Sequence, residues 1–179
     1  MIRSFIGLGS NLAGPRGQVE RAIRALSSLG PLRVSSLYRT EPLGPPDQPW
    51  YVNAVAELRA PLAPEVLLDL LRRLEGEAGR VRPRERWGPR ELDLDLLLAG
   101  AEVRAGPELS LPHPGLLARR FVLVPLCELD PDLCHPVTGE RLADRLCVLA
   151  DPLRVEWLAP PPTGSSGHTT CGDLAPRST

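Results

Sequence analysis

Two aspartates, Asp93 and Asp95, stand one residue apart in the otherwise apolar segment LDLDLLLA. Side chains of a strand alternate between its two faces, so both carboxylates point one way while the leucines at 92, 94 and 96 point the other. With a rise of about 3.3 Å per residue, the two aspartate Cα atoms lie roughly 6.6 Å apart. Like charges this close repel each other unless cations lie between them, and Mg²⁺ prefers carboxylates together with substrate phosphates. The pair therefore indicates a metal-assisted reaction of a phosphate compound.

Five arginines, at positions 80, 82, 84, 86 and 90, precede this pair in a segment that also contains Pro83 and Pro89. We expect this segment to be a loop. An arginine run alone is usually a solvated loop, and a DxD strand alone is usually a half-buried edge strand with a solvated polar face. Together they indicate a polyphosphate held between metal ions and guanidinium groups. Trp87 offers a flat face to a heterocycle, or else it anchors the loop.

The composition excludes several other classes of protein. A chain of 179 residues with 42% hydrophobic content is enough for one compact domain, and its net charge of −1 gives no global field that favours nucleic acid or membranes. All 21 basic residues are arginine, so a Walker-type phosphate loop, which needs a lysine, is excluded. The four cysteines form no CxxC pair, so we expect no metal–thiolate site. Without a signal peptide or an apolar run of 18 residues, we expect a cytoplasmic protein.

Hydrophobic periodicity predicts the order β-α-β-β-α-β followed by further elements. Strands are expected at 4–11, 32–40, 51–58 and 91–100, a return strand at 101–106 forming a hairpin with the last of these, a short strand at 109–111, and helices within 16–30, from Pro64 to Gly79, from about Arg119 and within 139–149. This order predicts an α+β fold, a ferredoxin-like split βαβ sandwich in which helices pack on an antiparallel sheet, with a C-terminal extension. We expect a single domain over 1–158. Residues 159–179 are expected to be a disordered tail, because 14 of the last 20 residues are Pro, Gly, Ser or Thr.

A second polar region lies at YRTEPLG and QPWYVNA. Thr40, Tyr51 and Asn53 supply hydrogen-bonding groups beside apolar neighbours, and an Asn side chain can pair with the amide edge of a heterocycle. Alternatively, Asn53 ties down a loop carbonyl, and without other clues this is the favoured interpretation. His113 lies between two prolines, and lone histidines are more often structural than catalytic. Phe121 is most simply a core residue.

Six blocks, GLGSN, SSLYRTEPLGPPDQPWYVNA, GRVRPRERWGPR, RWGPRELDLDLLL, LSLPHPG and RRFVLVPL, together resemble the 6-hydroxymethyl-7,8-dihydropterin pyrophosphokinase family in the same order, over about residues 2–149. The resemblance implies a ferredoxin-like fold and transfer of pyrophosphate from ATP to the hydroxymethyl group of a reduced pterin, a step of folate biosynthesis that leaves AMP. It also implies two Mg²⁺ ions. We expect a monomer whose partners are small molecules, not nucleic acid or a membrane.

The resemblance also assigns roles to residues. Asp93 and Asp95 are the expected metal ligands, and Arg80 and Arg90 act with them in catalysis. The expected pterin contacts are Thr40, Pro42, Leu43, Tyr51, Asn53, Trp87 and Phe121. The expected ATP contacts are Glu75, Arg80, Arg82, Trp87, Arg90, Leu96, Ser110, His113 and Arg119. Some relatives differ at the positions of Arg72, Glu108 and Pro114 near the nucleotide, so the resemblance does not define the adenine and ribose contacts.

Two other functions remain open at this point. A DxD-dependent nucleotidyl or glycosyl transferase with a nucleotide donor would explain the aspartates and arginines, but not the polar region around Tyr51 and Asn53. A non-catalytic ferredoxin-like module could bind RNA or a small effector. Such a module uses aromatic residues on its sheet, whereas this chain has 4% aromatic residues and clusters its arginines in a loop.

Overall fold

The structure is a computed structural model, and it describes residues 1–44, 47–79 and 88–162. In chain order, its elements are strand β1 (Ile2–Ser10), helix α1 (Pro15–Ser27), strands β2 (Leu32–Val34), β3 (Leu37–Thr40) and β4 (Tyr51–Ala60), helix α2 (Pro64–Glu77), strands β5 (Asp93–Ala99), β6 (Arg104–Ala105) and β7 (Ser110–Leu111), a short 3-10 helix (Leu116–Ala118), helices α3 (Arg120–Leu129) and α4 (Leu142–Val148), and strand β8 (Val155–Ala159).

The main sheet has the strand order β5-β1-β4-β3-β8, and β2 pairs with another part of β4. Every pairing within it is antiparallel. β1 lies between β4 and β5, so residues from three distant parts of the chain meet at the centre of the sheet. The helices and this sheet confirm the predicted α+β sandwich.

Helices cover both faces of the sheet because its central strands are apolar on both sides. On one face, Ile6 and Leu8 of β1 join Val19 of α1 and Leu67 of α2 in a buried core. On the other face, a second core packs α3 and α4 against the sheet through Phe5, Val55, Leu97, Leu123 and Leu142. On the second face, the strand residues that lie beyond this core border a cavity. They are not part of the packed interior.

The segment predicted as one strand at 32–40 is two strands. Between them, the Ser36 N–H donates to both carboxylate oxygens of Glu128, at 2.9 and 3.0 Å, and the Ser36 hydroxyl donates to the same carboxylate at 2.9 Å. These bonds direct the backbone toward α3 and interrupt the strand. A carboxylate acceptor on a helix 92 positions away was not predictable from local periodicity.

The predicted hairpin at 99–101 is wrong. β6 pairs with β7, not with β5. The N–H of His113, just after β7, donates to the Leu97 carbonyl of β5 at 2.9 Å. The chain that follows β7 therefore takes the hydrogen-bonding position on β5 that the return strand was expected to fill.

Strand β8 was not predicted at all. Its residues do not alternate clearly between polar and apolar, since Trp157 and Leu158 are adjacent and both exposed, and only Ala159 is buried. Its strand conformation comes from pairing with the edge strand β3, far away in the sequence. Of the predicted tail, residues 163–179 lie outside the described residues. No helix in the described part of the chain is long and apolar enough to cross a membrane.

Candidate active site

A cavity opens on the α3 side of the sheet, where β1, β4 and β5 lie side by side. Its lining brings together residues that are far apart in the sequence. The predicted site residues in this lining are Thr40, Leu43, Tyr51, Asn53, Arg90, Asp93, Asp95, His113, Arg119 and Phe121. Residues expected to contact a pterin and residues expected to contact phosphates thus share one cavity.

The two aspartates lie on the cavity side of β5. Asp93 is opposite Gly9 and Asp95 is opposite Gly7 on the neighbouring strand β1. Leu92, Leu94 and Leu96 are buried in the core on the opposite face. The predicted alternation is therefore present, and both facing glycines line the same cavity as the carboxylates.

Arg90 lies directly against the first aspartate. Its Nη1 donates to Asp93 Oδ1 at 2.7 Å. Its backbone is fixed to the end of β1, because its N–H donates to Asn11 Oδ1 at 2.7 Å and its carbonyl accepts from the N–H of Asn11 at 3.0 Å. The side-chain amide of Asn11 also donates to the Pro49 carbonyl at 3.0 Å. Asn11 thereby joins the ends of the segments 41–50 and 80–90, a role that sequence reasoning missed.

Asp95 lies in a recess with two basic groups nearby. His113 Nε2 is 3.9 Å from Asp95 Oδ1, and Arg119 Nη1 is 3.8 Å from Asp95 Oδ2. Burial and the charge of Asp93 nevertheless outweigh these groups and raise the pKa of Asp95. The ionised carboxylate is therefore under-compensated, which is the condition that a bound cation relieves.

The pair fits a divalent cation that takes part of its ligands from a substrate. Within residues 1–44, 47–79 and 88–162, no group of three or more His, Cys, Asp or Glu side chains could hold a metal ion. Mg²⁺ often uses one or two protein carboxylates and completes its coordination with phosphate oxygens and water. The two aspartates and the open space before them meet that requirement.

His113 is oriented by its own backbone. Its Nδ1 accepts the Gly115 N–H at 2.9 Å, so the proton of the neutral ring is on Nε2, which faces Asp95. Burial lowers the pKa of His113, more than Asp95 raises it. At neutral pH the ring is therefore a neutral hydrogen-bond donor toward the cavity.

The other half of the cavity is made of β3, β4 and α3. Asn53 Nδ2 donates to Thr40 Oγ1 at 2.6 Å, and both residues are buried. Asn53 is thus bonded to a side-chain hydroxyl. The favoured interpretation, in which Asn53 ties down a loop carbonyl, was wrong. Tyr51 is half-buried, and its hydroxyl donates to the Gly88 carbonyl at 3.2 Å. Phe121 lies in the same lining, with the Arg119 guanidinium 5.9 Å from its ring centre.

Four predicted residues lie outside this lining: Pro42, Glu75, Leu96 and Ser110. Glu75 is 3% exposed on α2 and accepts the Leu94 N–H at 2.9 Å, so it supports the strand between the two aspartates. The side chain of Leu96 belongs to the core on the other face. Arg80, Arg82 and Trp87 lie outside the described residues. Arg72 and Glu108, two positions that differ from relatives, bond to each other at 3.2 Å.

The fold also uses glycines that sequence reasoning passed over. A Cβ atom at Gly9 would lie 2.7 Å from Asn53 Oδ1, whereas one at Gly7 would only meet Leu97 at 3.5 Å. Gly9 therefore lets Asn53 lie flat against β1. The signal was present in the sequence as glycines alternating with apolar residues in IGLGS, a pattern that marks close approach of another group to a strand.

The fold and the site together define an α+β enzyme of ferredoxin-like architecture that acts on phosphate groups. The sequence model of the family described as 7,8-dihydro-6-hydroxymethylpterin-pyrophosphokinase (HPPK) matches residues 5–131. The chain belongs to this family and is a pyrophosphokinase.

Similar proteins support this assignment. The chain is 52% identical over 147 residues to a Pseudomonas aeruginosa protein named 2-amino-4-hydroxy-6-hydroxymethyldihydropteridine pyrophosphokinase, covering 80% of this chain and 90% of that protein. A Haemophilus influenzae protein of the same name is 50% identical over 139 residues, covering 76% of this chain and 86% of that protein.

Solved structures show the same fold at low identity. The Plasmodium falciparum HPPK-DHPS wild type with SDX-DHP matches with a TM-score of 0.61 and 13% identity, over 82% of this chain and 43% of that chain. An HPPK-DHPS in complex with substrates matches with a TM-score of 0.61 and 11% identity over the same shares. This chain thus spans less than half of those longer proteins, and the likeness concerns the fold alone.

Proposed function

We propose that this cavity is where the chain transfers pyrophosphate from ATP to the hydroxymethyl group of 6-hydroxymethyl-7,8-dihydropterin, a step of folate biosynthesis. The observation that carries the proposal is the meeting, in one cavity, of the acidic pair Asp93 and Asp95 with the polar and aromatic group formed by Tyr51, Asn53 and Phe121. One half suits a polyphosphate with its cations, and the other half suits a flat heterocycle with an amide edge.

The pterin half acts by stacking and by hydrogen bonding. Tyr51 and Phe121 would enclose the ring, with Leu43 beside it. Asn53, oriented by its bond to Thr40, would pair with the amide edge of the pterin. A ligand that lacks this edge would leave the second N–H and the carbonyl of this buried amide unmatched, which gives the site its selectivity.

The phosphate half acts by charge. We propose that two Mg²⁺ ions are held by Asp93 and Asp95, where they would neutralise the phosphate oxygens of ATP. Arg90 and Arg119 lie at the two ends of the pair, bonded to Asp93 and near Asp95 respectively. Their guanidinium groups, with the Nε2 proton of His113, are placed to hold phosphate oxygens. We propose that the phosphate half also includes Arg80, Arg82 and Trp87, which lie outside the described residues.

The reaction follows from this arrangement. The pterin hydroxyl oxygen attacks the β-phosphorus of ATP and forms a new oxygen–phosphorus bond, while the bond from that phosphorus to the bridging α–β oxygen breaks. AMP leaves, and the hydroxyl proton is released to the solvent. The chain's own residues align the two substrates and exclude water. Positioning and charge neutralisation carry most of the acceleration, because phosphoryl transfer requires little covalent help from the protein.

Two measurements separate this function from the alternatives. A nucleotidyl or glycosyl transferase would release no AMP in response to a reduced pterin, so AMP release with and without the pterin distinguishes the two. A binding module for RNA or an effector need not bind Mg²⁺ at Asp93 and Asp95, so a magnesium titration of the wild type and of Asp95→Asn tests that reading.

The decisive experiment is calorimetric titration of the pterin into the protein with a non-hydrolysable ATP analogue, with Mg²⁺ present and then absent. We expect tight pterin binding only when the analogue and Mg²⁺ are both present, because the two halves share one cavity. Asn53→Ala should weaken that binding without weakening binding of the analogue. Pterin binding that is unchanged in Asn53→Ala would place the pterin elsewhere and overturn the proposal.

A further inference from the structure

Five side chains form a compact cluster on the outer edge of the sheet, beside the pterin half of the cavity. We call this cluster the β8 clamp: Arg39, Glu41, Trp50, Arg154 and Glu156. Arg154 and Glu156 come from the C-terminal segment, which lies beyond the residues 5–131 that the family model matches. Of the other three, Glu41 and Trp50 are the first and last residues of the segment 41–50, which links β3 to β4, and Arg39 lies in β3.

The strongest part of the clamp is a reciprocal contact between Glu41 and Arg154. The Arg154 N–H donates to Glu41 Oε2 at 2.9 Å, and its Nε and Nη2 both lie 2.9 Å from Glu41 Oε1. In the other direction, the Glu41 N–H donates to the Arg154 carbonyl at 3.2 Å. Hydrogen bonds from the Arg154 backbone and side chain lower the pKa of Glu41. Two residues 113 positions apart therefore hold each other through backbone and side chain alike.

Trp50 is the second part of the clamp. Its ring is contacted by two guanidinium groups, with the Arg39 Cζ 4.5 Å and the Arg154 Cζ 4.8 Å from the ring centre. Glu156 lies between the same two arginines, accepting from Arg39 Nη2 at 2.7 Å and lying 4.0 Å from Arg154 Nη1. The stacking and the shared carboxylate fix the guanidinium planes, which makes each contact more favourable than an isolated surface pair.

The clamp holds the positions next to the pterin residues. Glu41 follows Thr40, and Trp50 precedes Tyr51, while Thr40 and Tyr51 are paired across β3 and β4. On its other side, Thr40 is paired with Val155 of β8. Glu41 itself lines the cavity. The ends of the two strands that carry Thr40 and Tyr51 are thus tied to β8 at the mouth of the cavity.

We propose that Arg154 is a positioning residue for pterin binding, acting through Glu41 and Trp50 to keep Thr40 and Tyr51 in their binding arrangement. The inference rests on the proposed placement of the pterin between Tyr51 and Phe121. It adds the C-terminal strand β8 to the parts of the chain that determine substrate affinity. When only a fraction of the protein has the binding arrangement, the apparent dissociation constant rises by the inverse of that fraction.

The expected effect is selective for one substrate. Exposed ion pairs are individually weak, but this cluster combines an ion pair, reinforced by backbone hydrogen bonds, with stacking on an aromatic ring, so we expect Arg154→Gln to raise the pterin dissociation constant about five-fold. The affinity for the ATP analogue should change less than about two-fold, because the phosphate half is held by β5 and α3 instead. The turnover number at saturating pterin should also stay near the wild-type value, because bound pterin restores the arrangement.

The experiment compares four variants by calorimetry in the presence of Mg²⁺ and a non-hydrolysable ATP analogue. Arg154→Gln, Glu41→Gln and the double variant test the pair, and Trp50→Leu tests the stacking. If Arg154 acts through Glu41, the double variant should weaken pterin binding no more than the stronger single variant. Arg141→Gln is the matched control, because Arg141 forms an exposed pair with Asp132 at 3.1 Å outside the cavity lining.

The outcomes are distinct. Weaker pterin binding in Arg154→Gln and Trp50→Leu, with unchanged ATP-analogue affinity and a silent Arg141→Gln, supports the clamp. Unchanged pterin affinity in Arg154→Gln overturns it, as does an equal loss of affinity for both ligands, which would show a general loss of structure. Neither result would contradict the proposed function. That proposal is contradicted instead if Asn53→Ala leaves pterin binding unchanged.

Discussion

The side-chain amide of Asn53 donates a 2.6 Å hydrogen bond to the hydroxyl of Thr40, and the two residues are 6% and 1% exposed. An Asn side chain has two N–H donors and one carbonyl acceptor, so this bond uses one donor and fixes the plane of the amide. The other donor and the carbonyl are then available in a fixed orientation. An amide held in this way can discriminate between heterocycles by the arrangement of hydrogen-bond donors and acceptors along their edges.

The first prediction concerns the glycine that faces this amide. In Gly9→Ala, the new Cβ atom would lie 2.7 Å from Asn53 Oδ1, and Asn53 cannot move without breaking its bond to Thr40. We expect the KM for the pterin to rise about ten-fold, which corresponds to the loss of one well-formed hydrogen bond, while the KM for ATP changes little. Gly17→Ala is the control, since Gly17 lies in α1 outside the cavity lining and its Cβ would come no closer than 3.9 Å to Arg21 Nη1. A Gly9→Ala enzyme with wild-type KM for the pterin would contradict the role of Asn53.

The second prediction concerns Asp95. We expect Asp95→Asn to lower turnover by about 10²-fold or more, because the variant loses one of the two carboxylates proposed to hold the cations. Calorimetric titration with Mg²⁺ and the ATP analogue should show weaker magnesium binding. Near-normal turnover would refute the metal role.

The same substitution should change the pH dependence of stability. Burial and the charge of Asp93 raise the pKa of Asp95, so the folded protein binds this proton more tightly than the unfolded chain does. The contribution of this residue to the free energy of unfolding is therefore highest at low pH and is lost as pH rises through the raised pKa. We therefore compare the free energies of unfolding of Asp95→Asn and the wild type in the absence of Mg²⁺. Their difference should favour the variant more at neutral pH than at pH 3. An equal difference at both pH values would show that the carboxyl is not destabilised by its surroundings.

The third prediction separates two roles for Glu75. Its Oε1 accepts the buried Leu94 N–H between the two aspartates. Glu75→Ala leaves that N–H without this acceptor and should lower the free energy of unfolding by about 1–3 kcal/mol, whereas Glu75→Gln retains an oxygen there and should lose less. Denaturant titration measures both. If Glu75 only contacts ATP, as expected from the family resemblance, the two variants should instead share a raised KM for ATP and keep wild-type stability.

The sequence predicted those features that depend on local patterns. The alternation of Asp93 and Asp95 with leucines follows from the period of a strand, and the order of elements follows from hydrophobic periodicity. What it could not predict depends on contacts between distant residues. β8 is a strand because β3 offers it an open edge, and the contact of Glu41 with Arg154 joins residues 113 positions apart. Likewise, the partner of Asn53 could be found only once Thr40 was placed on the adjacent strand.

The last prediction concerns the buried carboxylate of Glu57, which is 1% exposed and lies outside the cavity lining. Its Oε1 accepts from Arg3 Nε at 2.9 Å and Arg59 Nε at 3.0 Å, and its Oε2 accepts from Arg3 Nη2 at 3.0 Å and Arg33 Nη1 at 2.9 Å. Burial alone would raise the pKa of Glu57, but the bonds from Arg3 and Arg59 outweigh it, so the pKa is lowered.

Because the folded protein binds this proton less tightly than the unfolded chain, the stability from Glu57 is complete above the ordinary glutamate pKa of about 4.3 and is lost as pH falls through the lowered value. Glu57→Gln should therefore lower the free energy of unfolding at pH 7 by about 2 kcal/mol, less than for a fully buried pair because the arginines can reach water. Its stability should fall less steeply than that of the wild type below pH of about 4. Denaturant titrations at several pH values test this, with the exposed Asp132→Asn as control. Parallel pH profiles for Glu57→Gln and the wild type would show that the three arginines do not stabilise the ionised carboxylate.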